Sequence, residues 1–459
     1  MDNYDLCVIG AGSGGLVAAT TGNRLGLKTV LVEKNKIGGE CTHSGCVPSK
    51  AFIQSAKLFY GTQSFEKYGL PEPRITDQLD FARVMEHVDG VIQGVYQHET
   101  PEIFENMGID VIVDSAGAEF QNKKTIRVGD RVFRAENTII CTGSSPRSLE
   151  FEGSADLEFL NNENFWALRK IPRSITFVGG GVISAELGQA MRRFGAEVNI
   201  IEHNPRILKV VDDDVADEAI QIFRREGVRL FHNANIGSCL RIDDQTIRIS
   251  LDTPDGKETL ETEAVFLAIG RQPNIGGLGL KNAGVAFSQH GIETNQFLQT
   301  TAENVYACGD AASPAKFTHA ASYQAEICVQ NILKKGSRKN DLSIFPWAIF
   351  TDPEIAHVGL SEKAARKQNG DVEVLRVNAT LDRFTTDGKT EGFLKIVLGK
   401  NDQILGADAI GAHSGEWIQL LTMAMKNRTP IKQFAETIFA YPTYSEIVKK
   451  AFVRYFRTK

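Results

Sequence analysis

No apolar run in this 459-residue chain is long enough to span a bilayer. No basic block stands out and the formal net charge is −6, so nucleic acid and an anionic membrane are poor partners. No tract of low complexity interrupts the pattern. Few residues precede the strand-like Leu6-Cys7-Val8-Ile9, which leaves no room for a cleavable targeting peptide, and a cytoplasmic protein is expected. Cysteine is sparse. Seven are scattered along the chain, which suits a reducing compartment and excludes a small disulfide-stapled scaffold. The remaining composition is that of an ordinary globular protein, with 42% hydrophobic and 24% charged residues. The length calls for two to four domains.

Two of the seven cysteines lie close together, in Gly38-Gly39-Glu40-Cys41-Thr42-His43-Ser44-Gly45-Cys46-Val47-Pro48-Ser49-Lys50. The paired glycines let the backbone come close to a bulky partner. A strand-to-helix passage here presents both sulfurs at a helix start, where the positive end of the dipole favours a thiolate. That is the chemistry of a redox dithiol. The plainer alternative, a pair of buried structural cysteines, is outweighed by the glycines, the lysine and the nucleotide fingerprint nearby.

That fingerprint is Gly10-Ala11-Gly12-Ser13-Gly14-Gly15, between a strand Tyr4 to Ile9 and a helix through Leu25. A second strand, Thr29 to Val32, ends at Glu33, 21 residues after Gly12. Gly10, Gly12 and Gly15 supply the tight turn, the close pyrophosphate approach and the helix packing, and Glu33 can accept hydrogen bonds from a ribose. The pattern returns 169 residues later. Ile175 to Val178 leads into Gly179-Gly180-Gly181-Val182-Ile183-Ser184, a helix through Phe194, and a strand Val198 to Ile201 ending at Glu202. Ser184 takes the third glycine's place. Two intact units imply two dinucleotides, and electrons that pass between them; a decayed second unit is the weaker alternative.

Between the units, Phe81 to Asn106 reads as helical with a break at Pro101. Ile109 to Val113 and Thr125 to Val128 read as strands, and Thr138 to Ser144 closes the segment through Thr142-Gly143. Ala264 to Ile269 is a strand ending in Gly270-Arg271-Gln272-Pro273. Asn304 to Asp310 is another, ending in Gly309-Asp310. The Asp310 carboxylate either reaches a ligand hydroxyl or caps the next helix. The polar run Lys334 to Asn340 reads as a solvated linker. After it come strands and helices without a fingerprint, among them a strand Ile404 to Gly411, a helix Trp417 to Met425, and the block Ala440-Tyr441-Pro442-Thr443-Tyr444-Ser445-Glu446 before a basic helix.

In this order the motifs resemble the FAD-dependent pyridine nucleotide–disulfide oxidoreductases, among them glutathione reductase, lipoamide dehydrogenase and mercuric reductase. The resemblance covers essentially the whole chain. It implies an α/β fold with two Rossmann-like dinucleotide-binding domains and a C-terminal α+β dimerisation domain. The expected division is 1–146 and 269–338 for FAD, 147–268 for NAD, and 342–459 for the homodimer interface. Gly10, Gly12, Gly15, Glu33, Lys50, Thr142, Gly143 and Asp310 are the implied FAD contacts. Gly179, Gly181, Glu202, Gly270 and Arg271 are implied for the nicotinamide nucleotide. Cys41 is implied as the outer thiol that meets the substrate and Cys46 as the inner, charge-transfer thiol. Lys50 is implied beside the flavin, paired with Glu186; solvated surface charge is the alternative for both. Electrons run from NADH through FAD and the dithiol to a small-molecule acceptor, or the reverse, and no metal is expected as a resident cofactor. Glu202 favours NAD, because a carboxylate repels the 2′-phosphate of NADP, although Arg206 lies close in sequence.

The chain departs from that pattern in two places. Thiol-handling members carry histidine where this chain has Tyr441, with a glutamate matching Glu446. Tyrosine, with a pKa of about 10, stays neutral at physiological pH and is a poor base, whereas general acid–base help contributes about 100- to 10,000-fold. Tyrosine near this place is a feature of mercuric reductase, but the C-terminal cysteine pair of those enzymes has no match in Tyr455-Phe456-Arg457-Thr458-Lys459. The second departure is His43, between the cysteines, where relatives carry asparagine. It serves either as a packing group or as a base or soft-metal ligand beside Cys41. The expected activity is that of a lipoamide dehydrogenase-like oxidoreductase. A metal-ion reductase, an NADH oxidase or quinone reductase, and a subunit holding FAD for structure alone are the alternatives.

Overall fold

A computed structural model describes residues 1–71 and 79–459. Its first sheet has seven strands. Six run in the order Asp110–Val113, Thr29–Glu33, Asp2–Ile9, Arg131–Ile140, Thr125–Val128, Ala118–Phe120, and Val305–Ala307 pairs with Arg131–Ile140 from the far side of the sequence. The pairs among Asp110–Val113, Thr29–Glu33, Asp2–Ile9, Arg131–Ile140 and Val305–Ala307 are parallel. Parallel strands covered on both faces read as continuous apolar runs. Leu6, Cys7 and Val8 are fully buried and Ile9 nearly so. The helix Ser13–Arg24 makes the crossover between the first two strands. It lies against the helix Thr318–Leu333.

The second nucleotide unit forms its own four-stranded parallel sheet, ordered Arg229–Phe231, Glu197–Ile201, Ser174–Val178, Ala264–Leu267. Beside it is a three-stranded antiparallel sheet, Asn235–Asp243, Thr246–Thr253 and Gly256–Thr262. The C-terminal region is a five-stranded antiparallel sheet in the order Pro346–Ile349, Glu354–Gly359, Ile404–Gly411, Phe393–Leu398, Glu373–Asn378. The helices Ser414–Asn427 and Glu446–Thr458 bury Trp417, Ile418, Leu421, Ile447, Val448 and Phe452 into a core shared with that sheet.

The helical stretch from Phe81 to Asn106 divides at Pro101 into Phe81–Tyr96 and Pro101–Asn106, because proline is tolerated in the first turn of a helix and not in its interior. Two expectations need correction. Only Cys46 opens a long helix, Cys46–Gly61, whereas Cys41 lies inside the short turn Gly39–His43. Asp310 does not cap the following helix: it lies in the turn Gly309–Ala311, and that helix begins at Thr318. The run Lys334 to Asn340 is mostly exposed, and it is tied back to the residues around it. The Asn331 side chain binds both N and O of Arg338, and Asn340 N donates to Gln296 O.

Candidate active site

The two fingerprint loops share one construction. Gly10 and Gly179 hold φ of +97° and +98°, and a Cβ on either comes within 2.5 Å of a carbonyl oxygen, that of Cys141 or Ala268. Only glycine meets both demands. Gly12 and Gly181 differ from them. Their φ values of −80° and −81° suit any residue. A Cβ on Gly12 makes ordinary contact at 3.8 Å, and one on Gly181 meets nothing within 4 Å. Neither strain nor packing asks for glycine there. A ligand laid against bare backbone at the start of a twelve-residue helix does. In each unit the acid folds back under the loop. Glu33 Oε2 accepts from Ala11 N at 2.6 Å and Glu202 Oε2 from Gly180 N at 2.7 Å. Each of those oxygens keeps capacity for a ribose hydroxyl. These cradles fit FAD and a nicotinamide nucleotide.

The cysteine segment docks on the first of the two loops. Gly38 N donates to Ala11 O at 2.9 Å. Gly39 has φ of +60°, and a Cβ on it comes within 2.7 Å of Gly12 Cα. Cys46 then starts its helix with the thiol facing Thr318, the first residue of the helix Thr318–Leu333, at an Sγ to Oγ1 distance of 3.4 Å. A hydrogen bond from the Cys41 thiol, a second from Thr318 and the positive charge of Lys50 lower the Cys46 pKa to about 6, against burial. Cys41 moves the other way, because its proton is held in the bond to Cys46 and because it is buried. The pair therefore shares one proton, carried on Cys41.

Lys50 Nζ lies 2.9 Å from Glu186 Oε2 and over the ring of Phe350 at 4.5 Å. Glu186 is buried, and its other oxygen accepts from Phe350 N at 2.8 Å. The expected pairing is thus present and reaches from the cysteine helix to the second unit's fingerprint helix. Thr142 Oγ1 donates to Asn274 O at 2.6 Å, which joins Thr142-Gly143 to the strand end near Gly270. Gly143 and Gly270 hold positive φ with nothing within 4 Å of an added Cβ.

Arg271 is held by several partners. Its guanidinium turns to the first unit, bonded to Glu40 and Ser144 and 3.7 Å from Asp310. Asp310 accepts from Ser144 Oγ at 2.6 Å. His43 Nε2 lies 2.8 Å from Ile37 O, and the ring packs edge-on to Tyr96 at 5.1 Å, the arrangement of a packing group. Tyr441 is 71% exposed, and its hydroxyl donates to Asp382 at 2.8 Å, which raises its pKa. Glu446 accepts from Thr443 N at 3.1 Å. Within one chain, no hydrogen bond or ion pair among the described residues joins Tyr441 or Glu446 to the cysteines.

Residues 4–325 match the family described as pyridine nucleotide-disulphide oxidoreductase, and residues 345–452 match its dimerisation domain. The chain belongs to the pyridine nucleotide–disulphide oxidoreductase family. It is an oxidoreductase that uses FAD and NAD(P), and the dimerisation domain supports a homodimer. It is 30% identical to a mercuric reductase of Staphylococcus aureus over 453 residues, 98% of this chain and 82% of that one. A dihydrolipoyl dehydrogenase of Chlamydia muridarum is 32% identical over 454 residues, 97% of this chain and 95% of the relative. Among solved structures, the Cu(II) complex of the HOCl-induced flavoprotein disulfide reductase RclA from Escherichia coli superposes with a TM-score of 0.87. Its identity is 26%, covering 99% of this chain and all of the other. No helix among the described residues is long and apolar enough to cross a membrane.

Sequence reasoning missed several site groups of this family member. Thr318 lies 272 residues from Cys46, and nothing local marks it. Ser13, inside the first fingerprint, donates to Cys41. Glu40 was in plain sight before Cys41. Burial lifts its carboxyl to about 7 even with Arg271 alongside, and Asn162 Nδ2 donates to it at 2.8 Å.

Proposed function

We propose that the chain carries electrons from NADH to a soft metal cation through FAD and the Cys41–Cys46 dithiol. The observation that carries the dithiol step is the setting of the Cys46 sulfur, at the start of its helix and 3.4 Å from Thr318 Oγ1, where the Cys41 thiol, Thr318 and Lys50 favour the thiolate. At an unperturbed value of about 8.5, only about 3% of a thiol is ionised at pH 7. At about 6 most of Cys46 is thiolate. Bound flavin supplies acceptance of hydride from the nicotinamide and delivery of two electrons to the disulfide. Lys50, held between Glu186 and the Phe350 ring, keeps a positive charge beside the Cys46 sulfur. Cys41 holds its proton until the acceptor arrives, then releases it to water as the sulfur engages the acceptor.

Tyr441 decides between acceptors. Exchange with a disulfide such as lipoamide needs a group that takes and returns protons near neutral pH. The Tyr441 hydroxyl is bonded to Asp382 and titrates above its ordinary range. A soft metal cation bound by two sulfurs has no leaving thiol to protonate. The names of the mercuric reductase relative and of the Cu(II)-bound structural neighbour agree with that choice. A lipoamide dehydrogenase reading is the second one, supported by the Chlamydia relative. In the homodimer, Tyr441 and Glu446 reach the partner's dithiol.

NAD is the proposed nucleotide. Glu202 occupies the acid position, and Arg206 is turned away, bonded to Asp217 at 2.6 Å and to Asp213 O at 3.1 Å. The domain division, 1–146 with 269–338, 147–268 and 342–459, follows the membership of the three main sheets. A cytoplasmic location goes with scattered, unpaired cysteines.

The test compares purified wild-type protein with Tyr441→His. Each is given NADH with lipoamide, Hg(II) or Cu(II). The proposal expects metal-ion reduction by the wild type, weak lipoamide turnover, and a gain of about 100-fold or more in lipoamide turnover in the variant. Strong wild-type lipoamide turnover with no metal reduction overturns the acceptor assignment. An NADPH preference in kcat/KM overturns the choice of NAD.

A further inference from the structure

Below the fingerprint loop lies a second group of cysteines that the proposed electron path does not use. Cys141 and Cys308 are the residues that immediately follow the paired strands Arg131–Ile140 and Val305–Ala307. Those strands are parallel and in register, with Ile140 opposite Ala307. Cys141 and Cys308 are thus direct neighbours across the sheet, and Cys308 N donates to Ile140 O at 3.1 Å. Adjacent strands lie about 4.8 Å apart, inside the Cα separation of about 4.4–6.8 Å that a disulfide spans. The two sulfurs are in contact at 3.4 Å. Cys328, from the helix Thr318–Leu333, is a third fully buried cysteine beside them.

We infer that Cys141 and Cys308 form a second redox-active dithiol, one that closes to a cross-strand disulfide when the protein meets a hydroperoxide. The order of attack follows from their surroundings. Hydrogen bonds from Cys141 and Cys328 favour a thiolate on Cys308, whereas Cys141 keeps its proton. The Cys308 sulfur attacks a peroxide oxygen, the O–O bond breaks, and the departing hydroxide takes up the proton that Cys308 had released. Cys308 is then a sulfenic acid. The Cys141 sulfur attacks it, the S–S bond forms, the S–O bond breaks, and the oxygen leaves as a second water with the Cys141 proton. Two electrons pass from the thiols to the peroxide. The reagent must be small, since Cys308 has no exposed surface and Cys141 only 8%.

The bond ties together the strand ends that lead directly into Thr142-Gly143 and Gly309-Asp310, both expected at the flavin. It encloses the whole second nucleotide unit in one covalent loop.

The experiment uses flavin-loaded homodimer carrying Cys41→Ser and Cys46→Ser, so that the first dithiol is silent. The protein is treated with hydrogen peroxide, denatured with iodoacetamide and measured by mass spectrometry without reduction. The inference expects a mass lower than that of the untreated, alkylated protein by two carbamidomethyl groups, and a proteolytic fragment joining Cys141 to Cys308. Adding Cys308→Ala removes the crosslink, and adding Cys328→Ala leaves it in place. If Cys308→Ala does not fold, Cys141→Ala serves the same purpose. Full alkylation of Cys141 and Cys308 after peroxide overturns the inference. So does a Cys308–Cys328 bridge, or a stable sulfinic acid on Cys308.

Discussion

The two fingerprint loops match in backbone at their first two glycines and part at the third position. In the first, Gly15 lies so close to Gly10 that an added Cβ comes within 1.8 Å of the Gly10 oxygen. In the second, Ser184 stands at that position and donates its hydroxyl to the matching oxygen, that of Gly179. The first loop is also covered from outside by Gly39 of the cysteine segment. The second is open at Gly181, and its acid is enclosed by Asn204 and His203. The closed loop suits a ligand that stays and works against the dithiol. The open loop suits one that comes and goes each turnover.

The strongest way to break this contrast is a methyl group on each loop. Gly15→Ala has no space, and we expect more than ~3 kcal/mol of lost stability, seen as insoluble or flavin-free protein. Gly181→Ala should fold with an unchanged melting temperature and a raised KM for the nicotinamide nucleotide. Equal damage from the two changes refutes the contrast.

The next change touches the dithiol through a group outside both loops. Thr318→Ala removes a hydrogen bond to the thiolate, and a bond to a charged group contributes about 1.5–3 kcal/mol. We expect the Cys46 pKa to rise by about one unit. In the reduced wild type, iodoacetamide labelling of Cys46 should be fast above pH 6 and fall away below it as the sulfur takes a proton. In Thr318→Ala the same fall should come at higher pH. Matching profiles from wild type and variant would show that Thr318 does not hold the thiolate.

The smallest expected effect sharpens the comparison. Ser184→Gly turns the second loop into a copy of the first. It gives up one hydrogen bond and places glycine in the first turn of a helix, at a cost of about 1–2 kcal/mol. Thermal unfolding measures it, and nucleotide binding should be little altered.

Much of this was legible in the chain because it is local. Both loops, their acids, the break at Pro101 and the pairing of Lys50 with Glu186 follow from short spacings or from motif positions. What escaped depends on contacts between distant segments. Thr318 meets Cys46 only because two helices and a sheet bring them together, and periodicity says nothing of that. Arg271 shares its strand end with Gly270, but charge partners set its direction: Glu40 and Asp310 draw it to the first unit. Asp310 reads as a cap in isolation because its strand leads towards a helix, but the residues through Phe317 stay out of that helix. Tyr441 stood out by its identity, but its bond to Asp382 had no signature in spacing.

The strand Val305–Ala307 completes a sheet whose first strand begins at Asp2. A ribosome adding roughly 5–20 residues per second needs about 15–55 s to go from Cys46 to Thr318. For that interval the nascent chain holds two cysteines with four residues between them, without the hydroxyl that steadies one of them and with the sheet beneath them unfinished. The whole middle nucleotide unit emerges meanwhile, with all four strands of its own sheet. The reactive thiols therefore acquire their final setting only when more than two thirds of the protein has been made.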